Sequence, residues 1–221
     1  MRSHAGTTPL HKAVGENLCK NVEELITAHN IDINSRDRYG DTPLHDACSK
    51  EGCEAIIRVI LSKATIDMNA QAHDGATCLH RSAAKGRASN IGVLLSAPST
   101  IAVDINATDA QGDTALHLAI RGNHIMVVEM LLNIARIQIK IPNSDGLTSR
   151  LLASRMAEKM AKQIPSGLSL PSNPVADESA PLTEKEARAS IRANVLFVRI
   201  VRPLSLIYID DKFIIPQPTL R

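Results

Sequence analysis

The sequence predicts an all-α solenoid: stacked helix–turn–helix units joined by β-hairpin-like fingers, with a non-repeat C-terminal tail. Three observations lead there. A four-residue segment recurs as Thr8-Pro9-Leu10-His11, Thr42-Pro43-Leu44-His45, Thr77-Cys78-Leu79-His80 and Thr114-Ala115-Leu116-His117, its histidines 34, 35 and 37 residues apart. An apolar stripe at helical spacing follows each: Val22/Leu25/Ile26, Ile56/Ile57/Ile60/Leu61, Ile91/Leu94/Leu95 and Val127/Val128/Leu131/Leu132. A second motif closes the first three units, as Ile31-Asp32-Ile33-Asn34, Ile66-Asp67-Met68-Asn69 and Val103-Asp104-Ile105-Asn106. Motifs recurring in phase mark a repeat architecture, and their order gives a unit of turn, helix, helix and extended finger.

Each element has a local reason. Gly6, Gly40, Gly75 and Gly112 stand two places before the threonines, where the turn asks for a backbone that a side chain resists. Thr is a good N-cap, since its hydroxyl satisfies a free N–H at the helix start. Pro fits the next position, where its missing N–H costs nothing; Cys78 and Ala115 replace it in the third and fourth units. Leu faces the core, and the His ring can bond neighbouring backbone, tying one unit to the next. Three extra residues around Pro98 are expected to bulge outward as a loop, at well under ~1 kcal/mol of closure entropy.

Over residues 6 to about 155 the chain resembles the ankyrin-repeat family, whose pattern matches the Gly-x-Thr-Pro-Leu-His segment, the Leu-Leu or Ile-Leu pair of the second helix and the Asp-x-Asn finger. The resemblance implies a Gly six residues past the His, ending the first helix. Asn17, Glu51, Gly86 and Asn123 stand there. Asn tolerates the left-handed conformation. Glu51 is followed by Gly52, which predicts a turn one residue longer.

The ends of the array read less regularly. No finger precedes Gly6 and no polar capping helix is evident, so the helix near Pro9 to Val14 is expected to fray, and one reading makes the chain a piece of something longer. Asn143-Ser144-Asp145-Gly146-Leu147-Thr148 opens a fifth unit in which Arg150 and Leu151 replace the Leu and His; its charged helix, about 148 to 163, looks like a cap. The expected organisation is an ankyrin-like domain over 1–163 (four repeats plus a degenerate capping repeat), a Pro/Ser-rich linker over 164–182, and a tail over 183–221. In that tail Thr183-Glu184-Lys185-Glu186 predicts a capping box and a short helix to about Asn194. The β-prone runs Val195 to Val201, Leu204 to Ile209 and Phe213 to Ile215 predict extended chain, read either as a docking peptide or as a poorly ordered end.

Composition narrows the function classes. The formal net charge is +2, which gives no electrostatic case for nucleic acid or an anionic membrane. The longest apolar stretch, Val195 to Ile209, is broken by Arg199, Arg202 and Pro203, so no membrane span is expected. Cys19, Cys48, Cys53 and Cys78 form no CxxC pair and read as small core residues in a reducing compartment. With no apolar N-terminal leader, the expected location is the cytoplasm, the nucleus also being open to it. Walker, GxGxxG, GxSxG and HExxH patterns are absent from the sequence. Four of the eight histidines belong to the repeat, and the carboxylate pairs Asp177-Glu178 and Asp210-Asp211 sit on a tail read as extended, where neighbours point apart. The chain is therefore expected to be neither an enzyme nor a holder of metal or cofactor, and to act as a monomer.

The resemblance implies a protein-interaction module that binds on its concave face, through fingertips and first-helix ends. Mapped here, the tips are Arg38, Tyr39 and Asp41, then His73, Asp74 and Ala76, then Ala110, Gln111 and Asp113; the helix positions are Ser49 and Lys50, Ala84 and Lys85, Arg121 and Gly122. Arg38 and Tyr39 are the types enriched at hot spots. The mixed signs predict a partner of no uniform charge. The competing reading is a regulatory or targeting fragment of a larger enzyme or effector whose active part lies outside this chain.

Overall fold

Thr and His close the same small ring at the start of the first helix in each of four units. In the computed structural model, which describes residues 6–28, 31–97, 102–161 and 183–207, four threonines cap four short helices: α1 (Pro9–Gly15), α3 (Pro43–Ser49), α5 (Cys78–Ala84) and α7 (Ala115–Arg121). The Thr42 N–H donates to His45 Nδ1 at 3.1 Å, and the Thr77 N–H to His80 Nδ1 at 3.1 Å. A backbone N–H can only donate, so Nδ1 is the acceptor and the proton sits on Nε2. That Nε2–H reaches the carbonyl of the following finger: His11 to Asp41, His45 to Ala76, His80 to Asp113 and His117 to Leu147, all at 3.0–3.1 Å. One side chain thus caps its own helix and ties its unit to the next.

Burial pushes the imidazoles of His45, His80 and His117 below the ordinary histidine value, despite the carbonyls they face. Protonating Nδ1 would break the bond from the Thr N–H. The sign follows: between about 6.5 and the lower folded values, the unfolded chain takes up protons that the folded one refuses. This stabilisation is complete above pH ~6.5 and is lost as pH falls through the folded values. Tm is expected to stay level from pH 7.5 to about 6.5 and to fall from there to pH 5 in calorimetry; a flat profile throughout would contradict the tautomer assignment.

The outer helices are α2 (Cys19–Thr27), α4 (Glu54–Leu61), α6 (Ala88–Leu95) and α8 (Ile125–Leu132). Inner helices stack on inner, and outer on outer. Their apolar stripes meet in one continuous core, with Leu10, Leu44, Leu79, Leu116, Ile57, Ile91 and Val128 at most 1% exposed. Cys48, Cys53 and Cys78 are buried in it and Cys19 is half-buried; burial raises the Cys48 and Cys53 thiols, which keeps them neutral. Where the third unit places Asn90 in that stripe, its amide donates to the Ala47, Cys48 and Lys50 carbonyls, satisfying the open end of α3. The first helices end on left-handed Asn17 and Asn123 and on Gly86, while the second unit takes its extra residue and turns at Gly52.

The fingers are held by an asparagine ladder. Asn34 donates to Thr65 O and accepts from the Asp67 N–H; Asn69 does the same with Ala102 and Asp104, and Asn106 with Arg136 and Gln138. In the fourth finger, Ile137-Gln138-Ile139-Lys140 has no Asn in that place, and the ladder stops. Regular strand pairing does not develop among the described residues; Thr108 and Thr114 form one isolated antiparallel bridge.

Both ends correct the sequence reading. Leu10, Val14 and Val22 are fully buried in the first unit, and α1 is closed by its capping box. Its outward face carries Lys12, Glu16, Asn21 and Glu24, with Asn21 and Glu24 at the places that Ile56 and Val59 fill in the second unit. Pro9, Ala13, Leu18 and Leu25 lie among them on the same face, and α1 is a formed helix capped by Thr8 where fraying was expected. At the far end α9 (Ser149–Ala161) stacks on α7, and α10 (Glu184–Ile207) packs along α9 and α8. The Thr183–Glu186 capping box forms as expected, but the helix does not stop near Asn194. Residues 195–201, expected to be extended, are helical, because Ala187, Ile191, Val195 and Val198 make a helical face buried against α8 and α9. Tertiary burial outweighs the β-propensity of Val and Ile. The loop insertion around Pro98, His4, His29, the 164–182 stretch and the run Phe213–Ile215 lie outside the described residues.

Candidate functional site

Four finger hairpins lie side by side. Each closes through two backbone bonds: Asp37 N–H to Asp41 O, Ala72 to Ala76, Asp109 to Asp113 and Asn143 to Leu147 at 2.9–3.0 Å, and the N–H of Gly40, Gly75, Gly112 and Gly146 back to the carbonyl of the same first residue at 2.9–3.1 Å. The Asp37, Asp109 and Asn143 side chains accept two further N–H groups within their own tips, which fixes the tip backbone. Neighbouring tips are then joined by His73 N–H to Tyr39 O, Ala110 N–H to Asp74 O and Ser144 N–H to Gln111 O, each at 2.9 Å. The result is an unbroken row: Arg38-Tyr39, His73-Asp74, Ala110-Gln111, Ser144-Asp145.

The side chains on this row differ in availability. Tyr39 is 55% exposed, and the Arg38 guanidinium lies over its ring, 4.7 Å from the centroid. His73, Gln111 and Lys85 are exposed. Ser49 is half-buried, its hydroxyl donating to Asp46 O. Lys50 is half-buried and its ammonium bonds the Gly15 carbonyl. Ala76 is buried beneath the tips.

Asp113 must be removed from the candidate contacts. It is 1% exposed, because Asn143 of the next finger donates to its Oδ1 at 2.8 Å and Arg121 closes over it. Arg121 is thus the counter-ion of a buried carboxylate. Asp41 is drawn in as well: Arg81 bridges it to Asp74, with contacts of 2.8 and 2.7 Å. The sequence reading did not single out Arg81, which welds the first tip to the second. Its position one place after a repeat histidine says nothing of this in sequence, because only the fold brings Asp41 and Asp74 over it. Ser144 and Asp145, which extend the row by a fourth tip, were read only as the start of a fifth unit.

Among the described residues, no group of three His, Cys, Asp or Glu is placed to hold a metal ion, and no helix is long and apolar enough to cross a membrane.

The family model for ankyrin repeats (3 copies) matches residues 1–72 and 64–143. This chain belongs to the ankyrin-repeat family. It is 30% identical over 165 residues to the nuclear factor NF-kappa-B p105 subunit of Gallus gallus, a match covering 73% of this chain and 16% of that protein. It is 33% identical over 127 residues to neurogenic locus notch homolog protein 1 of Mus musculus (58% of this chain, 5% of the relative). Rabankyrin-5 of Mus musculus is 29% identical over 141 residues (64% and 10%). The chain therefore spans at most about a sixth of these relatives' lengths. Ankyrin repeats are generally protein–protein interaction modules, and the fingertip row of this one presents exposed polar side chains on an ordered backbone.

Proposed function

We propose that this ankyrin-repeat chain docks a partner protein along the fingertip row and the adjoining ends of α3, α5 and α7. The observation that supports this reading most is the row itself. Six of its eight residues (Tyr39, His73, Asp74, Ala110, Gln111 and Ser144) stand on backbone locked by tip-to-tip hydrogen bonds, so that backbone loses little freedom when a partner arrives. Arg38 and Tyr39 are its anchor: an exposed ring already stacked by a guanidinium, which brings large contact area in a preformed geometry.

The partner's chemistry follows from what is left unpaired. Asp41, Asp74 and Asp113 are engaged by Arg81 and Arg121 inside the module, so they offer little to an incoming cation. Arg38, Tyr39, His73, Lys85 and Gln111 remain beside the exposed Asp145 carboxylate, a strip richer in donors than in acceptors, with one large ring. It fits a segment rich in carbonyl and carboxylate acceptors with one apolar side chain over Tyr39.

Arg38→Ala with Tyr39→Ala is expected to weaken partner binding by roughly 1–3 kcal/mol while Tm stays within a degree of the parent, since these side chains contact chiefly each other. Isothermal titration beside a melting curve checks both halves. Unchanged affinity would remove the fingertips from the site.

A further inference from the structure

The last helix does not follow the path of the repeat. In a solenoid each second helix is a translated copy of the one before, so all of them run the same way. Helix α10 occupies the place of a second helix in the fifth unit, against both α9 and α8. Its direction is reversed. Glu184, at its start, shares a pocket with Ile137–Lys140 of the finger that follows α8. Arg188 donates to the carbonyls of Leu132, Ile134 and Ala135 at the C-terminal end of α8. One turn on, Arg192 reaches back to Glu129 at 2.7 Å and Asn133 at 2.8 Å. As α10 advances, its partners on α8 recede, so the two are antiparallel.

The contact has the composition of a recognition site. Ala187, Ile191, Val195 and Val198 supply an apolar stripe, and two arginines one turn apart read the carbonyl end of α8 and its Glu129. A cation at a helix C-terminus is favoured by the helix dipole as well as by the bonds. One residue fits poorly. Asn194 is 1% exposed, and neither its amide nitrogen nor its oxygen has a partner among the described residues. Buried amide groups left unpaired oppose docking. The seat is thus selective in charge and shape, while its present occupant holds it below the attainable strength.

We propose that the face formed by α8 and α9 is a second protein-docking site, distinct from the fingertips, which takes an amphipathic helix carrying two arginines one turn apart, and that α10 is its occupant in cis. The covalent tether through residues 162–182 gives α10 an effective concentration in the millimolar range, so it fills the seat by default. A helix from another protein with the same arginine pair and an apolar residue in the place of Asn194 displaces it.

The test uses the full chain with Arg188→Ala and Arg192→Ala, which weakens the cis occupant and leaves the seat intact. A fluorescent peptide of residues 183–198 in the parent sequence is titrated by anisotropy. The expected result is binding at least tenfold tighter to this variant than to the parent chain, lost again when Glu129→Ala is added, and at least threefold tighter when the peptide carries Asn194→Leu. Equal or absent binding to variant and parent overturns the proposal. If the variant does not fold, hydrogen exchange on the parent chain decides: α10 amides should open together, at least a hundredfold more readily than those of α5 to α8. Equal protection across α10 and the stack refutes an exchangeable occupant.

Discussion

Gly75→Ala is expected to lower stability by roughly 3 kcal/mol, although it adds one methyl group at a partly exposed turn. Gly75 has φ +74°, where an L side chain costs about 1–2 kcal/mol. Its new Cβ would lie 2.6 Å from the Ala110 nitrogen and 3.0 Å from the Asp109 carbonyl carbon. Both are backbone atoms of the next finger and cannot swing aside. The fingers must part, and the Ala110 N–H bond to Asp74 O goes with them, adding about 1 kcal/mol. Gly146 supplies the control: its φ is +73°, yet nothing lies within 4 Å of a Cβ there. Gly146→Ala should therefore cost only the backbone share, about 1 kcal/mol. For a chain of this size the two variants should melt about 4–8 °C apart. Equal melting temperatures would mean that the fingers are not packed backbone to backbone.

His80→Ala is expected to cost as much or more, about 3–4 kcal/mol. His80 is 1% exposed, and the change removes two buried bonds and leaves a cavity. The Thr77 N–H is left without its acceptor, and the Asp113 carbonyl loses the donor 3.0 Å away and keeps only the Asp109 N–H. An orphaned buried donor costs roughly 1–3 kcal/mol, and the lost bond and the cavity add to it. Because His80 lies in the third of the stacked units, the loss should also uncouple the two halves of the array, broadening the urea transition and lowering its m-value. His73→Ala is the matched control: it removes the same side-chain type from an exposed tip, so the change should stay within about 0.5 kcal/mol.

These two residues show why the repeat could be read from sequence. A left-handed turn, an N-cap and a helix-to-finger bond are backbone constraints, each met by very few residue types, and each recurs in phase. What escaped is set by distant partners. Asp113 looked like an exposed tip residue because its burial depends on Asn143 of the next finger and on Arg121 closing over it. Arg81 carries no signal of its own until Asp41, from the preceding finger, is brought over it. The length of α10 was hidden for the same reason. Val195 and Val198 favour strand locally, and only the α8 and α9 surfaces, far back in the chain, make them helical. Among the candidate contacts, Arg38, Tyr39, His73, Lys85 and Gln111 keep exposed side chains, which is what a docking surface requires; Asp113 does not.

The structure also changes how the site should be probed. Arg121→Ala would leave a buried carboxylate without its cation and so confuse unfolding with lost contact. Arg38, Tyr39 and Lys85 carry no such burden. The most direct measurement is therefore a quantitative capture from lysate of the source cells, comparing the full chain with its Arg38→Ala/Tyr39→Ala/Lys85→Ala variant and with a control altered on the outer helices at Arg58 and Met126, both exposed. The account predicts a partner held by the parent and the control and lost, by tenfold or more, from the fingertip variant. A partner retained by the fingertip variant at the parental level, or lost only from the outer-helix control, would contradict it.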